Sequence, residues 1–236
     1  MTWSDSFLHS VVNEWGLVLL QGALVTLQIS AGAFVLGLVI GLLVAMSKLS
    51  GKWPLLVLAN SYITVCRAVP ELLLILLLYY AGGDLVNAVL ASLGHDPVEI
   101  NGLLSGVIVL GLVQGAYASE IIRGAILAIP VGHIEAARAF GCSRSLIVRR
   151  ILIPEMMPFA LAGLSNLWMT LLKDSALISV VGYNELLFTA KQAAGSTKMY
   201  LLFYVSVGAM YLCITLLSNL VVQRLEMRFR RWMPQH

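Results

Sequence analysis

Long apolar stretches without charged residues alternate with short polar ones along the chain. The apolar stretches cover residues 15–47, 55–83, 102–118, 156–172 and 199–223, and only the second is interrupted by charges, near its middle. About 20 apolar residues are enough for a helix to cross the hydrocarbon core of a bilayer. The pattern therefore predicts an all-α integral membrane protein with about five transmembrane helices.

Small residues recur every four positions in the first and third stretches. They are Ala33, Gly37 and Gly41, and the pairs Gly102 with Gly106 and Gly111 with Gly115. Such spacing clears side chains from one helix face and lets a neighbouring helix approach closely. We expect these faces to be packing surfaces within the bundle.

The second stretch is interrupted by Arg67, Pro70 and Glu71. Proline removes a backbone donor and clashes with the preceding turn, so the helix should kink or break here. Ionisable residues at this depth face the interior of a bundle or a water-filled cavity. The polar residues of 84–99 predict a loop. Residues 173–198 mix polar and apolar side chains and predict either a re-entrant or an interfacial helix.

Composition excludes a soluble protein. Of 236 residues, 59% are hydrophobic and 11% charged, and the mean hydropathy is +0.89, which leaves room for one transmembrane domain over residues 1–236 and no large soluble one. The first 15 residues contain Asp5 and Glu14 but no lysine or arginine, so we expect no cleaved signal peptide. The three cysteines lack metal-ligand spacing, and His9, His95 and His236 stand alone, so no metal site is expected.

The distribution of basic residues predicts the orientation. One set of alternate loops collects ten lysines and arginines, while the other collects Lys173, Lys191 and Lys198. The first set is Lys48, Lys52, Arg138, Arg144, Arg149, Arg150, Arg224, Arg228, Arg230 and Arg231. Basic residues accumulate on the cytoplasmic side. We therefore expect the amino terminus outside, the carboxyl terminus inside, and residues 130–154 in the cytoplasm.

The 130–154 segment, PVGHIEAARAFGCSRSLIVRRILIP, lies between two apolar stretches and carries four arginines. Residues 131–149 can form a helix whose compact alanine surface, with Phe140 protruding and Glu135 and Arg138 at its rim, suits a groove on another protein. The alternative is a helix lying on anionic lipid, which Arg149 and Arg150 would favour. The residues alone do not decide between these two hypotheses.

The same segment resembles the EAA loop of the membrane subunits of ABC importers. Glu135, Ala136 and Ala137 are followed after three residues by Gly141 and after nine more by Ile151-Leu152-Ile153-Pro154. Ile153 stands where the family has leucine. The resemblance implies a short coupling helix that docks on an ATP-binding subunit, with contacts from Glu135, Ala136, Ala137, Arg138, Phe140, Gly141, Ile151 and Pro154.

Flanking motifs resemble the polar amino-acid permeases over nearly the whole chain. Arg67-Ala68-Val69-Pro70 is similar to the group's RGTP, and the run from Tyr117 to Gly132 and the segment from Leu172 to Leu177 also match; His133 replaces the usual glutamine. The resemblance implies a multi-pass protein of the bacterial inner membrane. It also implies three partners: an ATPase subunit, a second permease subunit that is either identical or related to this one, and an extracytoplasmic solute-binding protein. ATP and Mg would bind to the ATPase, and this chain would bind no cofactor and no nucleic acid.

The acidic residue Glu71 directly after Pro70 is a feature in which the chain resembles the histidine, arginine and opine branch of that group. We place Arg67, Pro70, Glu71 and Asn166 on the substrate pathway, with two alternatives for Glu71: a structural pair with Arg67, or direct contact with a cationic substrate. Asn166 is the amide inside the fourth span.

Further charges lie at the span ends. Glu120 and Arg123 are expected to form a salt bridge. Lys173 and Asp174 are expected to end a helix or contact the binding protein.

The competing function is a secondary transporter or channel that uses Glu71, Glu120 and Asp174. Five spans without an inverted repeat argue against it. A membrane scaffold without transport would leave Arg67 and Glu71 without a role. The phosphate-binding pattern GxxxxGK[ST] does not occur, so we expect a permease subunit whose energy comes from ATP hydrolysis by a partner.

Overall fold

A computed structural model describes residues 14–98 and 101–230 of the chain. His9, Glu99, Arg231 and His236 lie outside the described residues, as do the side chains of Arg228 and Arg230. The α-helices are α1 Gly16–Leu49, α2 Trp53–Ala68, α3 Glu71–Ser92, α4 Gly102–Leu127, α5 Val131–Ala139, α6 Arg144–Ile147, α7 Ile153–Asp174, α8 Leu186–Thr197 and α9 Tyr200–Arg230. A π-helical turn, Val148–Leu152, precedes α7, and a 3₁₀ helix, Ser175–Val181, follows it.

The all-α membrane architecture expected from the sequence is confirmed. By length and composition, α1, α3, α4 and residues 200–224 of α9 can each cross a membrane. The remaining expected span is α7, which has 22 residues and packs against α4 and α9. Together they form one bundle.

The small residues of α1 and α4 allow these two helices to pack closely, as predicted. Ala33, Gly37 and Gly41 are buried, and a Cβ atom added to Gly41 would lie 2.7 Å from the Cβ of Ala118. One added to Gly111 would lie 2.7 Å from the side chain of Leu36. The missing side chains therefore let the two helices approach closely enough for extensive dispersion contacts.

The predicted helix break lies between α2 and α3. Helix α2 ends at Ala68, Val69 has an extended backbone (φ −90°, ψ 137°), and Pro70 is the N-cap of α3. Proline disfavours the α conformation in the residue before it, which explains why Val69 leaves the helix. The break places Glu71 in the first turn of α3.

Two predicted boundaries were wrong, whereas α4 extends to Leu127 and carries Glu120 and Arg123 as expected. Residues 84–99 are not a loop, because α3 continues through Asp84 to Ser92 and the Asn87 side chain accepts a hydrogen bond from the Val98 amide. The predicted helix over 131–149 is divided in two, because Gly141 has a left-handed backbone (φ 73°) that ends the first part, and Ser143 caps α6.

The segment 173–198 continues into the bundle as the 3₁₀ helix and α8. Helix α8 packs between α1 and α9, and Leu186, Ala190, Ala193 and Ala194 are buried in a cluster with Leu19 and Phe203. A second cluster joins α1 to α3, α4 and α7 around Ile29, Ile75, Leu110 and Leu171. Because α1 contributes to both clusters, it joins the two halves of the fold.

Candidate functional site

The break between α2 and α3 brings two acids together. Glu71 begins α3 and Asp174 ends α7, and their carboxyl groups lie close enough to interact. Tyr117 of α4 lies beside Glu71 and within reach of Asp174. Both acids are half-buried. Three helices thus converge on one partly accessible acidic site, which we call the Glu71–Asp174 site.

Arg67 does not form the structural pair with Glu71 that was one of the two alternatives. No ion pair joins the two residues, and the Arg67 guanidinium instead lies over the ring of Tyr117, 5.7 Å from its centroid. Its side chain is exposed. A cationic group therefore stands at the rim of the Glu71–Asp174 site without neutralising either acid directly.

Gln114 supports the same site, and the sequence analysis missed it. Its Nε2 donates a hydrogen bond to Asp174 over 3.0 Å, while its Oε1 is buried and has no partner in the described structure. Only 1% of the residue is exposed. An amide inside an apolar span needs a partner, and that requirement was the available signal.

The other residues predicted for the pathway are more peripheral. Pro70 is exposed and shapes the break, and Asn166 is exposed on α7 with no hydrogen bond to the described residues. Lys173 is exposed beside Asp174, the last residue of α7 before the 3₁₀ helix. None of these three touches Glu71 through a polar contact in the described part of the chain.

Glu120 lies in a separate cluster of charges on α4. It accepts hydrogen bonds from Arg123 over 3.0 Å, as predicted, and from Lys48 of α1 over 2.6 Å. Lys48 was not expected here, because its contribution depends on how α1 and α4 pack. Two cations satisfy this carboxylate, so it is not free to bind a substrate.

The 130–154 segment presents most of its surface to the surroundings. Of α5, only Ala137 is buried, while Glu135, Ala136 and Arg138 are exposed. Phe140 follows α5 with 88% of its surface exposed. This aromatic side chain is therefore accessible to a partner protein or to lipid.

The rest of the segment returns towards the bundle. Gly141 and Pro154 are exposed, and Ile151 is half-buried in the π-helical turn. His133 of α5 contacts Glu155 in the first turn of α7, with 2.8 Å between His133 Nδ1 and Glu155 Oε2. The sequence offered no basis for this pair, whose members are 22 residues apart.

A buried carboxylate in the second half of the fold was also missed. Glu185 caps α8 and accepts hydrogen bonds from the Leu187 and Phe188 amides and from the hydroxyls of Tyr211 and Thr26. Neutral donors from α1, α8 and α9 thus meet at one acid. Its position before an alanine-rich helix was the only sequence signal.

Known proteins are similar to this chain in sequence and in fold. Residues 37–231 match the family model described as the binding-protein-dependent transport system inner membrane component. The chain belongs to this family. Its members form the transmembrane part of ABC importers, so this chain is a permease subunit and the competing secondary-transporter function is not favoured.

Individual relatives place the permease among amino-acid and opine transporters. It is 42% identical over 221 residues to the nopaline transport system permease protein NocQ of Agrobacterium fabrum, covering 93% of this chain and 91% of the relative. It is 41% identical over 212 residues to the histidine/lysine/arginine/ornithine transport system permease protein HisQ of Escherichia coli, covering 90% and 93%. A solved structure of an amino acid ABC transporter with histidines has a TM-score of 0.76 and 31% identity, covering 91% of this chain and 95% of the other.

Proposed function

We propose that this permease carries a cationic amino acid or opine across the inner membrane and that the Glu71–Asp174 site holds the cationic group. The observation that supports this most is that Glu71 and Asp174 interact across two helices while neither forms an ion pair with a described lysine or arginine. When both are ionised, two such carboxylates repel each other. A cationic substrate placed between them replaces that repulsion with two attractions.

The surrounding groups suit the rest of such a substrate. Arg67 stands at the rim with no carboxylate partner among the described residues, so it is available for the α-carboxylate of an amino acid. The unpartnered Oε1 of Gln114 is an acceptor for a substrate N–H. The relatives named for nopaline and for histidine, lysine, arginine and ornithine support a basic or opine solute.

The substrate proposal predicts a charge-selective loss of binding. In the complete importer in nanodiscs, Glu71→Gln and Asp174→Asn should each weaken arginine binding about 10- to 100-fold, since a hydrogen bond to a charged group contributes about 1.5–3 kcal/mol. Glutamine binding, measured by competition, should change little. Asp84→Asn is the control, because Asp84 is an exposed acid on the same helix. Equal losses of affinity for arginine and for glutamine would contradict the proposal.

We further propose that α5 and the following turn form the coupling surface for an ATP-binding subunit. The exposed Phe140, set beside alanines, supports docking into a groove more than insertion into lipid. The permease would work with a second permease subunit and an extracytoplasmic binding protein, with ATP and Mg bound on the ATPase. The charge bias supports a cytoplasmic carboxyl terminus, and a carboxyl-terminal tag accessible from outside intact cells would contradict this orientation.

A further inference from the structure

The coupling helix α5 is weakly packed against the rest of the permease. Ala137 is its only buried residue. An open surface groove lies between it and the start of α7, lined in part by Ala136, Phe140 and Ile151. Few side chains of α5 are therefore buried against the bundle, and individual contacts between the two helices become important.

The backbone is an indirect route between the two helices. From α5 it passes through a turn at residues 141–143, after which the backbone stays helical through α6 and the π-helical turn Val148–Leu152 into α7. The left-handed residue Gly141 ends the regular α-helical hydrogen bonding of α5. This turn is therefore the one backbone connection that can change the angle between α5 and the following helix.

One side-chain contact spans this turn. His133 Nδ1 and Glu155 Oε2 are 2.8 Å apart, so a proton on Nδ1 is donated directly to the carboxylate in the first turn of α7. From Glu155 the helix continues to its end at Asp174, a rise of about 28 Å at 1.5 Å per residue. The contact thus connects the proposed docking surface to the helix that carries one acid of the Glu71–Asp174 site.

We infer that the His133–Glu155 contact is the tie through which a movement of α5 displaces α7 and its Asp174. His133 is in this sense a positioning residue for transport and touches neither substrate nor nucleotide. Both side chains are substantially exposed, at 54% and 38%, and an exposed polar contact contributes little to folding. Loss of the contact should therefore lower the number of amino acids imported per ATP hydrolysed while leaving the fold intact. The inference rests on the proposed coupling role of α5.

The test uses the complete importer in proteoliposomes and measures amino acids imported per ATP hydrolysed. His133→Leu and Glu155→Leu should each lower this ratio about two- to fivefold, the range that the loss of one exposed ion pair allows. ATPase co-purification and the ATP hydrolysis rate should stay within twofold of wild type. His133→Asn, whose amide nitrogen replaces Nδ1, should restore most of the ratio. His95→Leu is the matched control, since His95 is exposed and outside the 130–154 segment.

The double variant separates a tie from two independent effects. If the contact acts as a unit, His133→Leu combined with Glu155→Leu lowers the ratio no further than either change alone. Multiplied losses, an unchanged ratio, or a parallel loss of ATPase co-purification would each overturn the inference. The ratio is measured with whichever amino acid the binding protein delivers. A failure of the Glu71 substitution to affect arginine therefore leaves this test valid, and the two proposals can fail separately.

Discussion

Replacing Glu185 tests whether its carboxylate organises the second half of the fold. This buried acid accepts hydrogen bonds from the Leu187 amide at 2.8 Å, the Phe188 amide at 2.6 Å, the Tyr211 hydroxyl at 3.0 Å and the Thr26 hydroxyl at 3.4 Å. Glu185→Ala removes all four acceptor contacts at once. The two hydroxyls can rotate towards other acceptors, but the two amides are fixed by the helix they begin.

The expected cost follows from those two amides. A buried donor left without a partner costs about 1–3 kcal/mol, so the pair costs about 2–6 kcal/mol. Tyr211→Phe removes one neutral donor and leaves the carboxylate its other partners, for about 1 kcal/mol. The informative quantity is the ratio of the stability losses of the two variants, because both changes lie at the same junction of α1, α8 and α9.

Thermal unfolding of the detergent-solubilised importer measures both variants. In a chain of this size, 1 kcal/mol corresponds to about 2–4 °C in Tm, so Glu185→Ala should lower Tm by roughly 5 °C or more and Tyr211→Phe by less than that. Gln192→Ala, an exposed position on α8, should leave Tm unchanged. If Glu185→Ala lowers Tm no more than Tyr211→Phe, the carboxylate does not hold the junction together.

Two further predictions concern helix packing and docking. Gly41→Leu should destabilise the permease by about 1–3 kcal/mol, because its Cβ would meet that of Ala118 at 2.7 Å. Gly82→Ala, where nothing lies within 4 Å, should leave Tm equal or slightly higher, and equal effects of the two changes would refute the close α1–α4 packing. Phe140→Ala should leave Tm unchanged but reduce ATPase co-purification about tenfold or more, as loss of an interfacial aromatic anchor does. Undiminished co-purification would remove Phe140 from the docking surface.

The sequence predicted the parts of the fold that depend on local pattern. Uncharged apolar stretches gave the positions of the long helices, and the spacing of Gly37 and Gly41 identified the face that packs on α4. Pro70 marked the break in the second span because its effect on the backbone is local. These features need no knowledge of which helices become neighbours.

Helix ends were less predictable where charges lie inside helices. Asp84 was taken as the start of a loop, yet α3 continues past it, since an exposed aspartate within a run of leucine, valine and alanine does not stop a helix. The opposite error concerned residues 131–149, where helix-forming residues hid the left-handed turn at Gly141. Helix propensity is averaged over a window of residues, whereas the backbone conformation of a single residue decides where a helix ends.

The two acidic clusters show why the site itself required the structure. Glu120 and Glu71 are alike in sequence, each lying near an arginine at helical spacing, and both were candidates for pairing. In the fold, Lys48 approaches Glu120 from α1, so that acid has two cationic partners. Glu71 instead meets Asp174 from α7, while Arg67 turns to Tyr117. A carboxylate that is already neutralised by cations of its own chain attracts a cationic solute weakly. A pair of acids without such a cation attracts it strongly. The difference in proposed role therefore comes from which distant helix supplies the neighbour.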